Sequence, residues 1–348
     1  MKKINIALCS FGLSGKVFHA PFINIHPGLN LFAVWERSRQ LVKDIYPEVI
    51  GYSSLEEMLA DKEVDLVVVN TPNYTHYDYV KQALLAQKHV VVEKPFAVNL
   101  EQAEELVGLS KKQNKILSPF QNRRYDSDFK TVRKIFDEGV LGDIAEAEFH
   151  YDRYNLNLSP KEHKETPRPG ASILHDLGPH IIDQALQLFG MPASVFACLR
   201  ALRPSSQVFD YLDILLFYPT TTVRLKSGYI IKEPVPSFVL HGVNGSFLKP
   251  RADVQEDMLL AGAVPGSPEW GTEPEWAKGI LNVNKKGATV REFVTSLQGN
   301  YLEYYEGIYD AIINNRQPPV TGEDGLKVMK IIDAALESNT QKKVIVIR

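Results

Sequence analysis

The chain has 348 residues, more than one hydrophobic core usually serves, so two domains are expected. Hydrophobic residues make up 44% and charged residues 23%, the balance of an ordinary globular protein. A net charge of -3 with no acidic or basic tail argues against nucleic acid or a membrane surface as the main partner. The two cysteines, Cys9 and Cys198, lie far apart, which excludes a disulfide scaffold and fits a reducing cytoplasm. No apolar run has membrane-spanning length, and the N-terminus lacks the core and cleavage site of a signal peptide. A cytoplasmic protein is expected.

In chain order, residues 4–9 are short, apolar and followed by turn chemistry, which predicts a buried strand. A glycine-containing loop and a helix limited by Pro21 follow, then a strand over 29–35 ending at Glu36-Arg37. Ser54 opens a short helix as a capping residue, 64–69 is a third strand, 75–87 a helix and 88–92 a strand. Asn99 caps a helix running to about 114, and 116–120 is one more strand. Strands alternating with helices of this length predict right-handed β-α-β units on a parallel sheet. The first domain is therefore placed at residues 1–120 and the second at 121–348.

Beyond residue 120 the pattern changes. A helix over 126–139 and a strand over 144–154 precede a polar, proline-rich loop at 155–170. A helix then runs to Phe189-Gly190, starting at Asp176 or Leu177 because Pro179 suits a first turn. Its apolar stripe is Leu177, Ile181, Ala185 and Leu188, which leaves Asp176, His180 and Asp183 on a shared polar face. Strands at 195–199, 211–218, 221–230 and 238–242 follow without intervening helices, as in an antiparallel sheet. Residues 250–290 read as a long excursion, 302–314 and 323–338 as helices, and 344–347 as an edge strand.

Several stretches carry residues suited to chemistry. Ser10-Phe11-Gly12-Leu13-Ser14-Gly15 is a dinucleotide fingerprint with serine in place of its first glycine, set between strand and helix. The glycines permit a tight turn and close backbone approach to pyrophosphate, which the helix N-terminus attracts. A purely structural turn is the weaker alternative in this context. Glu36, 21 residues after Gly15, can accept from adenosine ribose hydroxyls and favours NAD, whereas Arg37 can bind a 2′-phosphate. NAD is preferred narrowly, with NADP a live competitor. Asn70-Thr71-Pro72-Asn73 and His76 follow the third predicted strand, where small polar groups suit the nicotinamide ribose; His76 equally suits a helix cap. Glu93-Lys94-Pro95 ends the strand at 88–92, placing Lys94 at the carboxyl edge where parallel sheets bind ligands. Gln121 and Asn122 are candidates for the cofactor and Arg123 for substrate, with Arg153, Tyr154 and Asn155 along the opposite wall. His175, Asp176 and His180 offer a poised histidine beside a carboxylate, although Asp176 equally suits an N-cap and His180 a core position. A metal needs three convergent ligands, and His175 is expected to diverge from the other two, so no metal is expected.

Glu93-Lys94-Pro95, the substituted glycine loop and Asp176-x-x-x-His180 together resemble the glucose–fructose oxidoreductase / inositol dehydrogenase / MocA (Gfo/Idh/MocA) family over essentially the whole chain. Phe18-His19-Ala20-Pro21, Gln121-Asn122-Arg123-Arg124 and Leu188-Phe189-Gly190 resemble its branch of scyllo-inositol dehydrogenases. The resemblance implies an α/β protein: a doubly wound parallel Rossmann sheet, then an α+β domain on a large, open, mainly antiparallel sheet that mediates dimers or tetramers. It implies that the C-terminal helix packs back on the Rossmann domain, that Lys94, Asp176 and His180 form the catalytic trio, and that a cis bond precedes Pro95. Lys94 and His175, with Asp176 and His180, would face substrate, and Glu93 the cofactor. Ser172-Ile173-Leu174-His175 departs from the family's glycine-rich lead-in, which bears on substrate shape rather than reaction type. The expected activity is NAD(P)-dependent oxidation of a secondary alcohol on a cyclic polyol or sugar. NAD-assisted glycoside hydrolysis, known in another branch, and a non-catalytic dinucleotide-binding regulator are the alternatives.

Overall fold

Val67, Val68 and Val69, and Val90, Val91 and Val92, are β-branched and wholly buried on both faces. Such unbroken apolar runs are what a parallel sheet covered on both sides requires. The computed structural model describes residues 3–37 and 41–347. In it the two runs become strands β4 and β5 of a six-stranded sheet with β1 Ile4–Leu8, β2 Leu29–Trp35, β3 Ile50–Tyr52, β4 Leu66–Val69, β5 His89–Val92 and β6 Leu117–Pro119. All pairs are parallel and the order is β3-β2-β1-β4-β5-β6, the doubly wound arrangement. Strand β3 escapes the sequence pattern because it is a three-residue, largely exposed edge strand with glycine at its centre. Helix ends follow local chemistry. Ser54 Oγ accepts from Glu57 N–H and Asn99 Oδ1 from Gln102 N–H, while Asn114 closes its helix in the left-handed region.

The second sheet has nine strands: β7 Ile144–His150, β8 Ser194–Arg200, β9 Tyr211–Phe217, β10 Thr222–Gly228, β11 Phe238–Gly242, β12 Gly245–Lys249, β13 Gly279–Lys285, β14 Ala288–Val294 and β15 Ile345–Val346. Their order is β14-β13-β12-β11-β7-β10-β9-β8-β15, antiparallel except where β10 runs parallel to β7. Strands β8 and β9 alternate buried and half-buried residues along their length, the signature of a sheet packed on one face. Helix Gly178–Phe189 lies against β7 and β10 on that face. The excursion expected at 250–290 instead includes β13 and leads into β14. Strand β13 buries every second residue at Gly279, Leu281 and Val283, whereas β14 has no buried residue and so carries no alternating signal.

The chain divides into two compact units, not at a single cut near residue 120. The first holds the described residues of Met1–Asn122 with Gln255–Trp270 and Asn300–Leu326; the second holds Arg123–Val254, Gly271–Gly299 and Lys327–Arg348. The two late segments belong to the first unit because they supply its aromatic interior. Tyr301, Tyr304 and Tyr305 are fully buried, Phe22 meets Trp270 and Tyr301 edge-on at 6.2 and 6.0 Å, and Tyr304 hydroxyl bonds Ser118 Oγ at 2.8 Å. Gln255 Oε1 accepts from Trp270 Nε1 and from Tyr301 N–H, joining the segments to each other. Helix Gly322–Gln341 starts in the first unit, where Glu323 pairs with Lys111 at 2.7 Å, and continues in the second from Lys327.

Candidate functional site

In the first unit the loops after β1, β2, β4, β5 and β6 all leave the carboxyl edge, so topology alone gathers the residues singled out for a cofactor. Ser10 Oγ donates to Asn70 O at 3.1 Å, and Asn70 Nδ2 donates to Ser10 O at 2.9 Å, locking the loops after β1 and β4 together. The two glycines do different work. A Cβ on Gly15 would lie 2.4 Å from Ser10 O and 2.8 Å from Asn70 Nδ2, so only glycine permits this interlock. A Cβ on Gly12 would meet no protein atom within 4 Å, leaving its backbone open to an incoming ligand. Asn70 Oδ1 and Gln121 Oε1 are buried and find no hydrogen-bond partner among the described residues. An open backbone cradle beside two buried, unsatisfied acceptors fits the phosphates and hydroxyls of a dinucleotide. Phe11 contributes only backbone, since its ring is buried edge-on against Tyr46, whereas Leu13 is 54% exposed.

Two of the expected cofactor contacts also have local partners. Glu36 accepts from Leu41 N–H at 3.2 Å and Val42 N–H at 3.1 Å, so its carboxylate caps the short turn Leu41–Asp44. Arg37, with Trp35, Ser53, Ser54, Glu56 and Tyr79, borders a cavity of about 440 Å³ at the end of β2. His76 is 1% exposed, and its ring nitrogens face Pro95 O at 2.8 Å and Thr71 O at 2.9 Å. The ring sits between the two loops; when neutral it donates to one of these carbonyls only, and it does not cap its helix, whose N-cap is Thr75. Burial lowers its pKa, against the two carbonyls that favour its proton. Thr71 Oγ1 lies 2.6 Å from Thr75 Oγ1 within the same loop, of which Pro72 and Asn73 form the turn.

Lys94 follows β5, and the Lys94-Pro95 bond is cis. Glu93 before it accepts from the Ser14 hydroxyl and from Lys94 N–H, and its Oε1 lies 3.1 Å from His19 Nε2. Burial alone would raise the Glu93 pKa, but the bond and field of His19, then Ser14 and Lys94, outweigh it and bring it down to about 2. Asn122 is buried and opens the short turn Asn122–Tyr125.

In the second unit the expected helix forms with Leu177 at its start. A turn Ile173–Asp176 precedes helix Gly178–Phe189, and the N-cap is Leu177, so Asp176 does not cap it. The polar face expected for Asp176, His180 and Asp183 is not a solvated one. Asp183 is 2% exposed and forms a two-pronged pair with Arg124, Nε at 2.8 Å and Nη2 at 2.6 Å. His180, 5% exposed, stacks against Tyr151 at 6.1 Å. Asp176 accepts from Lys164 Nζ at 2.9 Å and lies 3.5 Å from the Tyr229 hydroxyl. Burial, then the Asp176 charge, pushes the Tyr229 pKa up. His175 bonds Ser172 Oγ at 2.9 Å through Nδ1, while its buried Nε2 has no partner among the described residues. Burial holds its pKa down at about 4. Arg123 is buried 3.6 Å from Asp126, and Tyr154 and Asn155 lie exposed, Tyr154 bridging to Ile230. Lys164 and Tyr229 had no signal in the sequence: one sits in a polar loop, the other beyond a strand end, and only folding sets them on Asp176. Among the described residues no three His, Cys, Asp or Glu side chains are grouped to hold a metal ion.

A doubly wound sheet with an open glycine cradle, followed by a nine-stranded sheet carrying an Asp–His segment, defines a dinucleotide-binding oxidoreductase. Residues 4–121 match the model of the oxidoreductase family's NAD-binding Rossmann fold and residues 133–347 that of its C-terminal alpha/beta domain. The chain belongs to the Gfo/Idh/MocA oxidoreductase family. It is 38% identical to the oxidoreductase YdgJ of Escherichia coli over 96% of each chain. It is 35% identical to the scyllo-inositol 2-dehydrogenase (NADP(+)) IolW of Bacillus subtilis over 99% of this chain and 96% of that one. Among solved structures, an oxidoreductase from Bacillus cereus is 30% identical, with a TM-score of 0.92 and 99% of each chain covered. No helix among the described residues is long and apolar enough to cross a membrane.

Proposed function

We propose that this protein catalyses reversible hydride transfer between NADP(H) and a secondary alcohol of a cyclic polyol or sugar. The observation that carries the reading is full-length similarity to an inositol dehydrogenase in a chain that keeps Lys94, Asp176 and His180. When bound, the nicotinamide supplies the hydride acceptor. His180 takes the substrate hydroxyl proton, Lys94 stabilises the developing alkoxide, and Asp176 orients the base or a neighbouring hydroxyl. The fully buried Val90, Val91 and Val92 give Lys94 a rigid base.

The cofactor preference moves from NAD to NADP because Glu36, the residue that would favour NAD, accepts from Leu41 and Val42 N–H, while Arg37 borders the cavity at the end of β2 as a cation suited to a 2′-phosphate. The NADP(+) in the name of the IolW relative supports the same reading. A polyol and sugar screen with each cofactor, followed by reduced-nicotinamide absorbance, tests both parts. Turnover with NADP exceeding that with NAD is expected. In the active pair, Lys94→Ala should lower kcat by roughly two orders of magnitude or more with dinucleotide Kd retained. Near-wild-type turnover in that variant would remove Lys94 from the mechanism.

A further inference from the structure

The helix that follows the glycine loop opens on an α-turn, Lys16 N–H to Gly12 O at 2.9 Å, and then departs from α geometry. Gly15–His19 is a π-turn, closed by Ala20 N–H on Gly15 O. Such turns are uncommon and concentrate at functional sites. Ser14 already has helical dihedrals (φ -62°, ψ -49°), and its hydroxyl goes to Glu93. At the other end of the turn His19 is fully buried, its ring 4.5 Å from that of Phe120. Both of its nitrogens are engaged, Nε2 with Glu93 at 3.1 Å and Nδ1 with the Tyr305 hydroxyl at 2.5 Å.

These contacts have a direction. Both ends of the imidazole are matched: Nε2–H donates to the Glu93 carboxylate whether or not the ring is charged, and Nδ1 pairs with the Tyr305 hydroxyl, accepting its proton when the ring is neutral. Tyr305 is fully buried and burial pushes its pKa up, so it remains a donor. The carboxylate receives Ser14 and His19 on one oxygen and Lys94 N–H on the other. A single group therefore touches the cofactor loop, the backbone of the lysine and a buried imidazole. Filling the core would account for a buried ring at position 19, but it does not require both nitrogens to be matched.

We infer that His19, backed by Tyr305, is a positioning residue: it fixes Glu93 so that the glycine loop and the backbone of Lys94 are latched in one arrangement. The role of Lys94 in this inference rests on the function proposed above. The latch itself is a statement about the dinucleotide loop and is testable without a substrate. Loss of His19 leaves Glu93 free to turn away from Ser14, which loosens the phosphate cradle and the lysine together.

Two side chains of similar reach separate the ends of the imidazole. Glutamine can place an N–H near the position of Nε2 and keep the bond to Glu93. Asparagine reaches only the Nδ1 end, towards Tyr305. The experiment compares wild type, His19→Gln, His19→Asn and Tyr305→Phe, each confirmed folded by circular dichroism and melting. The readouts are NADP(H) Kd by fluorescence titration, and kcat and KM on the most active polyol. His19→Asn should weaken dinucleotide binding several-fold and lower kcat by about tenfold or more, with polyol KM within about twofold. His19→Gln should stay near wild type in both, and Tyr305→Phe should fall between them. The inference is overturned if His19→Gln and His19→Asn behave alike in Kd and, where turnover is seen, in kcat. Absence of turnover in the wild type on every polyol and sugar defeats the proposed function instead, and the Kd comparison still decides the latch.

Discussion

The two glycines of the cofactor loop are required for different reasons, and the reasons can be separated by measurement. Gly15 sits where Ser10 and Asn70 close the loop, so Gly15→Ala forces a backbone oxygen at 2.4 Å to move. It should lower stability by about 1–3 kcal/mol and dinucleotide affinity with it. A Cβ at position 12 enters open space, with nothing within 4 Å, so Gly12→Ala should leave the melting temperature unchanged or slightly raised. Its dinucleotide Kd should nevertheless rise by about tenfold or more, because the added methyl occupies the phosphate approach. Equal dinucleotide Kd in Gly12→Ala and wild type would mean that the cradle is not where the phosphates lie. At the same scale, Glu36 and His76 have local backbone partners that residue type and spacing do not announce.

At the scale of elements, the loop over 155–170 is held by one arginine. Arg203 donates to Asp210 Oδ2 through Nε at 3.0 Å, to Asn157 O at 3.0 Å and to Glu165 Oε2 at 3.1 Å. Arg203 and Asp210 are 6% and 1% exposed, so removal of the cation leaves a buried carboxylate with, among the described residues, only the Leu202 and Arg203 N–H groups as partners. Arg203→Ala should cost about 3–5 kcal/mol in denaturant unfolding. It should also release the segment that carries Lys164 onto Asp176, raising polyol KM while leaving dinucleotide Kd unchanged. A KM shift absent despite the lost stability would separate the loop from substrate recognition. Elements were legible where a buried face imposes a period. The valine runs and β8, β9 and β11 fall where their patterns place them, and Asn99 caps the helix it was expected to cap. Strand β14, exposed along its length, left no such period.

For the whole molecule, acid is the stress that burial makes costly. Burial holds His175 at a pKa of about 4, below the ordinary 6.5. His89 is also lowered to about 4, first by burial and then by the Lys115 charge, and its Nδ1 accepts from Ile116 N–H, a bond that protonation breaks. Above pH 6.5 both rings are neutral folded and unfolded, so their contribution is complete there. As pH falls from 6.5 towards 4 the unfolded chain takes up protons first and stability is lost, on the order of 3 kcal/mol for fully buried His175 and less for His89. Glu93 adds a second loss from about 4.5 towards 2, because its folded pKa lies below its unfolded one. Denaturant unfolding at stepped pH should therefore decline in two stages, and His89→Gln should reduce the slope of the first. A flat profile between pH 6.5 and 4.5 would contradict the burial of both rings as neutral groups.

Sequence by itself determined the alternation of strands and helices, the glycine loop, the placement of Lys94 after a buried strand and the Asp176–His180 spacing. Each is a local matter of backbone freedom or of a period of burial, written within a few residues. Tertiary structure alone decided that residues 255–270 and 300–326 complete the first unit, because the aromatic rings that fill it come from distant stretches. It also decided that Arg124 neutralises Asp183, that Lys164 meets Asp176 and that Tyr305 backs His19 against Glu93. Partners so far apart along the chain are matched by packing and charge in three dimensions, which no local pattern records.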